Sequence, residues 1–246
     1  MKNIQNWHDI DWKKVYNKVK TLQANLVEEY KKVENKKSRM KKVFELQRKL
    51  ITSFEARALA IRKVYTNSGG KTPGIDGRIW RNPEGRFKAI QELLVIVRNP
   101  KAYKASPLKR VQIPKPGGDK RNLGIPSIMD RAVQAVYYLA VDPIVECQSD
   151  PDSYGFRKYR SAQDAINRLR TLLDKKHSSE WILETDIEKC FDKIDHKYII
   201  ENTPICNKNI LIQWLKSGVK VSGQVIETTE GTPQGGIISP MLCNLT

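Results

Sequence analysis

WILETDIEKCFDKIDH, residues 181–196, is the stretch on which the fold of this chain turns. Trp181–Asp186 reads as a short buried strand that emerges at an acid, and Ile187–Phe191 as a tight turn beyond it. A carboxylate fixed at the end of a buried strand yet open to solvent suits a hard cation such as Mg²⁺, which takes oxygen ligands. Other readings stay open at this point. Asp195 could cap a helix starting at His196, Asp192 could pair with a nearby lysine, and a strand-end Asp186 is a common feature.

Working outward, residues 219–230 look like a hairpin, and GTPQGGIISP at 231–240 a glycine-rich loop entering a final helix. Glycines let a backbone approach a flat ligand or sugar. The amide of Gln234 can both donate and accept toward a base or ribose edge. An ordinary turn before a helix would look the same. Upstream, Ser161 with Asp164 forms a capping-box pattern that opens a helix over AQDAINRLRTLLDKK. Before it a helix is expected from Ser127 to about Gln148, kinked or broken near Asp142-Pro143.

Residues 108–125, LKRVQIPKPGGDKRNLGI, read as two strands joined by a Pro-Gly-Gly-Asp turn, with Lys109, Arg110 and Lys115 on one arm and Lys120 and Arg121 on the other. Such a hairpin is shaped to close over phosphates, and a solubilising surface hairpin would share the pattern. Gly70-Lys71-Thr72 does not complete a phosphate loop, because the first glycine would fall on Tyr65; TPGIDG at 72–77 is a turn-rich loop. Near the N-terminus, Trp12, Val15, Val19, Leu22 and Leu26 mark an amphipathic helix over 10–33. A second helical pattern runs from Val43 through Leu50, Phe54 and Ile61 to Val64. Helices alternating with short strands place the chain in the α/β or α+β classes.

Charge separates the two halves. The 246 residues carry 44 Lys+Arg against 27 Asp+Glu, a net of +17. Residues 1–124 hold 30 basic and 11 acidic side chains, a net of +19, and residues 125–246 a net of −2. A cationic block of this size is the footprint of a polyanionic partner, nucleic acid first and an anionic membrane surface second. The longest apolar runs, Leu93–Val97 and Ala135–Val141, fall far short of a membrane span. MKNIQNWHDI has no apolar signal-peptide core, so an intracellular protein is expected. Cys147, Cys190, Cys206 and Cys243 lie far apart, which argues against zinc and for reduced, mostly buried thiols.

Taken in order, TPGIDG at 72–77, KRVQIPKPGGDKRNLGIPSIMDRAVQ at 109–134, YGFRKYRSAQDAI at 154–166, DIEKCFDKIDH at 186–196 and GTPQGGIISPMLCNL at 231–245 resemble the reverse transcriptase domain of group II intron-encoded maturases. The resemblance spans nearly the whole chain. It implies an α+β right-hand polymerase fold: a basic helical extension over 1–68, fingers over 69–180 and part of the palm over 181–246. It implies RNA-templated DNA synthesis by two-Mg²⁺ nucleotidyl transfer, with an RNA template, a DNA primer, a dNTP and the intron RNA as partners, no membrane, and a bacterial cytoplasm or an organelle as the compartment. Asp186 then matches the first metal-binding aspartate, with the Ile187 carbonyl as a further ligand. Phe191 matches the side chain that excludes a ribose 2′-hydroxyl. Lys115 and Arg121 match cations that hold the triphosphate, Gln234 a residue against the nucleotide's sugar and base, and Arg157 and Arg160 the template side.

The chain departs from the family's pattern at Lys158-Tyr159, where relatives often have Pro-Gly, and at Gln163, where many have His. The family's Tyr-x-Asp-Asp motif, expected after the GTPQGG helix, is not reached by Thr246. On that reading this stretch alone is expected not to polymerise. A different class, an RNA-binding splicing factor that keeps the fold without catalysis, is the alternative.

Overall fold

The computed structural model describes residues 4–32, 36–114, 118 and 120–246. Asn6 opens the described chain with a capping box around a single 3₁₀ turn, Trp7–Asp9. Helix α1 (Trp12–Lys31) starts at Asp11, whose carboxylate accepts from the Lys14 N–H at 3.1 Å. It turns Val15, Val19, Leu22 and Leu26 inward. The second helical pattern divides in two: α2 (Lys36–Thr52) and α3 (Phe54–Thr66). Ser53 makes the break. Its extended backbone frees the hydroxyl to accept from the Ala56 N–H at 3.2 Å and donate to the Leu50 carbonyl at 2.7 Å, which caps one helix and ends the other.

These helices and α4 (Pro83–Arg98) pack around α5 (Ile128–Gln148), most of whose residues are buried. The expected kink at Pro143 is absent as a break: α5 runs through it. Proline removes the N–H that would bond the Leu139 carbonyl four residues back. That oxygen instead accepts from Gln23 Nε2 of α1 at 2.7 Å. Gln47 of α2, fully buried, satisfies the next carbonyl, Ala140, at 3.1 Å. It also bonds the Pro204 carbonyl and the Cys206 N–H. Buried amides that use all their partners tie the helical layers together at little desolvation cost.

The sheet has the order β2-β1-β3-β4. β1 (Leu108–Pro114) and β2 (Lys120–Ile125) pair antiparallel, with Ile113 opposite Arg121 and Gln112 opposite Asn122. β3 (Val219–Val221) joins β1 in parallel and turns through Ser222-Gly223, both at positive φ, into β4 (Gln224–Ile226). Asp130 of α5 fastens the segments that flank the hairpin on either side. Its carboxylate accepts from Tyr103 Oη at 2.5 Å, Ser127 Oγ at 2.7 Å and the Ser106 N–H at 3.1 Å, while Trp214 of α9 (Lys208–Leu215) donates to the same phenol.

Helix α6 (Ala162–Leu173) starts at the Ser161/Asp164 capping box, and α7 (Cys190–Lys193), α8 (His196–Asn202) and α10 (Ser239–Cys243) complete the chain. One expectation is corrected. Trp181–Asp186 is neither a strand nor buried, with Trp181 91% and Leu183 88% exposed. A strand needs a neighbour to take its backbone hydrogen bonds, and among the described residues no strand lies beside this one. The thiols also differ from expectation: Cys147 is exposed and the other three are half-buried.

Candidate functional site

The hairpin β1–β2, the turn at 191–194 and the glycine-rich loop at 231–236 enclose a cleft of about 300 Å³. Phe191, Asp192 and Gln234 line it with Arg110, Asn122 and Gly124. Two backbone bonds bring the turn and the loop together. The Thr232 N–H donates to the Phe191 carbonyl and the Gly231 N–H to the Ile194 carbonyl, each at 2.7 Å. Gly231 sits at φ +78, and a Cβ there would stand 2.6 Å from the Asp192 carbonyl oxygen. Only glycine fits. The Gly124 N–H of β2 bonds the Gln234 carbonyl at 2.9 Å, so the hairpin is stitched to the same loop.

Two side chains that sequence reasoning did not single out, Gln134 and His196, hold this frame together with Asp192. Gln134 of α5, buried, accepts from the Ile237 N–H at 2.9 Å. His196, also buried, places Nε2 2.8 Å from the Gly231 carbonyl; a carbonyl only accepts, so Nε2 carries the proton. The carboxylate of Asp192 lies 3.4 Å and 3.5 Å from Nε2 of Gln234. The ring of Phe191 meets Phe156 edge-on, centroids 5.7 Å apart, with Phe156 held at φ +58. Gln134 is the last residue of the 109–134 stretch and His196 the last of DIEKCFDKIDH, but which atoms they reach depends on long-range packing.

The other predicted residues fall elsewhere. Lys115 lies outside the described residues. Arg121 is exposed on β2, and because successive side chains alternate between faces, it stands opposite the face on which Asn122 lines the cleft; Arg110 is the cation on the cleft side. Arg157 is spent on Glu146 of α5 and on its own loop. Its guanidinium makes a two-point pair with Glu146 at 2.9 Å and 2.6 Å and donates to the Ser153 carbonyl at 2.7 Å and to the Asp150 carbonyl, leaving the side chain 4% exposed. Those bonds to Glu146 hold its carboxyl below the ordinary carboxylate range. Arg160 donates to the Pro151 carbonyl at 2.7 Å and lies over the Tyr154 ring.

Asp186 and Ile187 are exposed on the irregular 181–189 segment and are not among the residues lining the cleft. A carboxylate and a backbone carbonyl are the hard oxygen donors that Mg²⁺ takes. They are two donors only. Among the described residues no three His, Cys, Asp or Glu side chains are grouped to hold a metal ion, so the ligands present do not by themselves complete such a site.

Residues 113–246 match the family described as reverse transcriptase (RNA-dependent DNA polymerase), and residues 7–93 match the N-terminal domain of reverse transcriptase. The chain belongs to the reverse transcriptase family, and its mixed helix and sheet accords with a fingers and palm fold carrying a helical N-terminal region. Its relatives include group II intron-encoded proteins. It is 33% identical over 194 residues to the group II intron-encoded protein LtrA of Lactococcus lactis subsp. cremoris, covering 76% of this chain and 31% of LtrA. It is 33% identical over 204 residues to protein YkfC of Escherichia coli (strain K12), covering 80% of this chain and 54% of YkfC. It is also 33% identical over 198 residues to the putative COX1/OXI3 intron 1 protein of Saccharomyces cerevisiae, 76% of this chain and 22% of that protein. The chain thus spans about half the length of YkfC and under a third of the other two. Among the described residues no helix is long and apolar enough to cross a membrane.

Proposed function

We propose that this chain supplies the fingers and part of the palm of a group II intron reverse transcriptase/maturase, which copies RNA into DNA and binds its intron RNA to assist splicing. The observation that carries the reading is the cleft that Phe191 and Gln234 both line, on two loops joined by backbone hydrogen bonds, beside a hairpin rich in Lys and Arg. In this role Phe191 closes the space a 2′-hydroxyl would need, so a deoxynucleotide is preferred, and Gln234 contacts its sugar and base. Arg121 and Lys115 reach the triphosphate. Arg121 does so only if the hairpin turns its outer face toward the cleft, whereas Arg110 already lines it. Residues 1–68 form the basic extension, 69–180 the fingers and 181–246 the palm portion.

Magnesium, when bound, would draw on Asp186 and the Ile187 carbonyl, and it would stabilise the entering and leaving oxygens of the phosphoryl transfer. One aspartate does not hold two such ions in register, so residues 1–246 taken alone are proposed to bind nucleic acid without extending a primer. The +19 charge of residues 1–124 supports RNA binding through phosphates. Membrane association plays no part, and the compartment is a bacterial cytoplasm or an organelle.

The test uses the whole protein with a DNA primer annealed to an RNA template and Mg²⁺. Extension that disappears with Asp186→Asn supports the reading. Extension untouched by that change overturns the assignment of Asp186. RNA binding without any extension by the whole protein would favour the non-catalytic splicing factor.

A further inference from the structure

We propose that Asp192 is a positioning residue that fixes which way the Gln234 side-chain amide faces, so that Gln234 presents its Oε1, an acceptor, to the nucleotide in the cleft. This rests on the reading of the cleft as a nucleotide site.

An amide of glutamine can turn either its NH₂ or its oxygen toward a neighbour. A carboxylate removes that freedom, because it accepts hydrogen bonds and donates none. Both oxygens of Asp192 lie near Gln234 Nε2, at 3.4 Å and 3.5 Å. The reverse orientation would set the amide oxygen against a negative carboxylate. Oε1 therefore points away from Asp192.

The surroundings leave little else to adjust. The Gln234 carbonyl is held by the Gly124 N–H, the loop before it by Thr232 on Phe191 and Gly231 on Ile194, and the loop after it by Ile237 on Gln134. Asp192 is equally fixed, since its own N–H bonds the Lys189 carbonyl at 2.8 Å. Its neighbour Lys193 is paired with Glu230 at 2.7 Å, and among the described residues Asp192 takes part in no ion pair. With both backbones clamped, the freedom that remains lies in the Gln234 side chain itself, and Asp192 is the group that sets which way its amide faces. Phe191 and Asp192 thus divide two tasks between adjacent positions, one shaping the sugar's space and the other setting the polarity of the contact.

The contact is long and the carboxylate exposed, which makes its effect modest. In the whole protein, Asp192→Ala should raise the KM for dNTP about three- to tenfold with kcat nearly unchanged, the size expected from one weak hydrogen bond. Asp192→Asn, able to accept or donate, should fall between. Adding Asp192→Ala to Gln234→Ala should cost nothing further. An unchanged KM in Asp192→Ala, or fully additive losses in the double variant, would overturn the proposal.

A readout independent of polymerisation separates this claim from the function itself. In the ¹⁵N-labelled 246-residue chain, the Gln234 side-chain amide signals, identified by their loss in Gln234→Ala, should shift in Asp192→Ala. Signals that stay in place refute the positioning role even if the protein polymerises. Shifted signals in a protein that extends no primer would sustain it and count against the function alone.

Discussion

The N–H of Thr232 donates to the carbonyl of Phe191 across 2.7 Å, and this bond welds the glycine-rich loop to the turn that carries the aromatic ring. It forms only because Gly231, one residue earlier, adopts φ +78 with no side chain to strike the Asp192 carbonyl. Gly231→Ala should destabilise the protein by about 2–4 kcal/mol, from left-handed backbone strain plus the clash. Gly223, at φ +91 in the β3–β4 turn, has open space around it. Gly223→Ala should therefore cost only about 1–2 kcal/mol of strain. Urea unfolding of the two variants tests the difference, and equal losses would show that the contact with the 191–194 turn is unimportant.

A second prediction concerns the proline that fails to break α5. Gln23 replaces the missing donor at Leu139. Gln23→Leu should leave that carbonyl without a partner and cost about 1–3 kcal/mol. In a Pro143→Ala background, the new N–H at position 143 can take over. There the same substitution should cost roughly half as much or less. Additive losses in the denaturation midpoints would argue against the substitution of one donor for the other.

These elements divide by how local their causes are. The hairpin at 108–125, the Ser161 capping box and the helix starting near Ser127 follow from turn residues, caps and periodicity, so they were readable from sequence. Ser53 between α2 and α3 lies inside an unbroken apolar rhythm, and nothing in that rhythm marks a cap. Asp142-Pro143 suggests a kink or break, but α5 continues through it because Gln23, 120 positions earlier than Pro143, supplies the missing donor to Leu139. Trp181–Asp186 has strand chemistry without a partner, and pairing is not a property of one segment. Gln234 stands out as the one amide in a glycine-rich loop and Phe191 through the resemblance, and the two share a cleft. Gln134 and His196 escaped notice because a buried polar side chain acquires its role only from the backbone groups that packing brings to it.

Arg157 illustrates the same point and gives a third prediction. It was expected on the template side, yet its donors are taken by Glu146 and by the carbonyls of Asp150 and Ser153. Arg157→Ala should lower stability by about 1–3 kcal/mol. Lysine should not rescue it, since one ammonium cannot reproduce the two-point pair. The Glu146 carboxyl is depressed in the fold, first by its hydrogen bond to Arg157. Its contribution is present above the ordinary carboxylate range and is lost as pH falls from that range through the depressed folded value. RNA affinity measured while the variant is still folded should be unchanged. A large loss of affinity without loss of stability would restore the template role.

A fourth prediction follows from Lys63 on α3. Its Nζ stands 3.9 Å from the centroid of Tyr138, a ring that Lys158 also approaches at 4.6 Å while bonded to Asp142. Burial, with repulsion from Lys158 behind it, pushes the Lys63 ammonium down to about 8. In the unfolded chain it titrates near ~10.4. Below the folded value both states carry the proton, and the fold bears the whole burden of the half-buried charge. As pH rises through about 8, the folded state releases its proton first, so stability increases until the unfolded state follows. Cys206, pushed up to about 12 by burial, works in the opposite sense at high pH. That opposition is common to wild type and Lys63→Met and cancels when the two are compared. Between pH 7 and 9.5 wild type should therefore gain about 1–2 kcal/mol relative to Lys63→Met. Parallel urea titrations at the two pH values measure it. A gap that stays constant would mean that Lys63 keeps its proton throughout and that the Tyr138 ring compensates its burial in full.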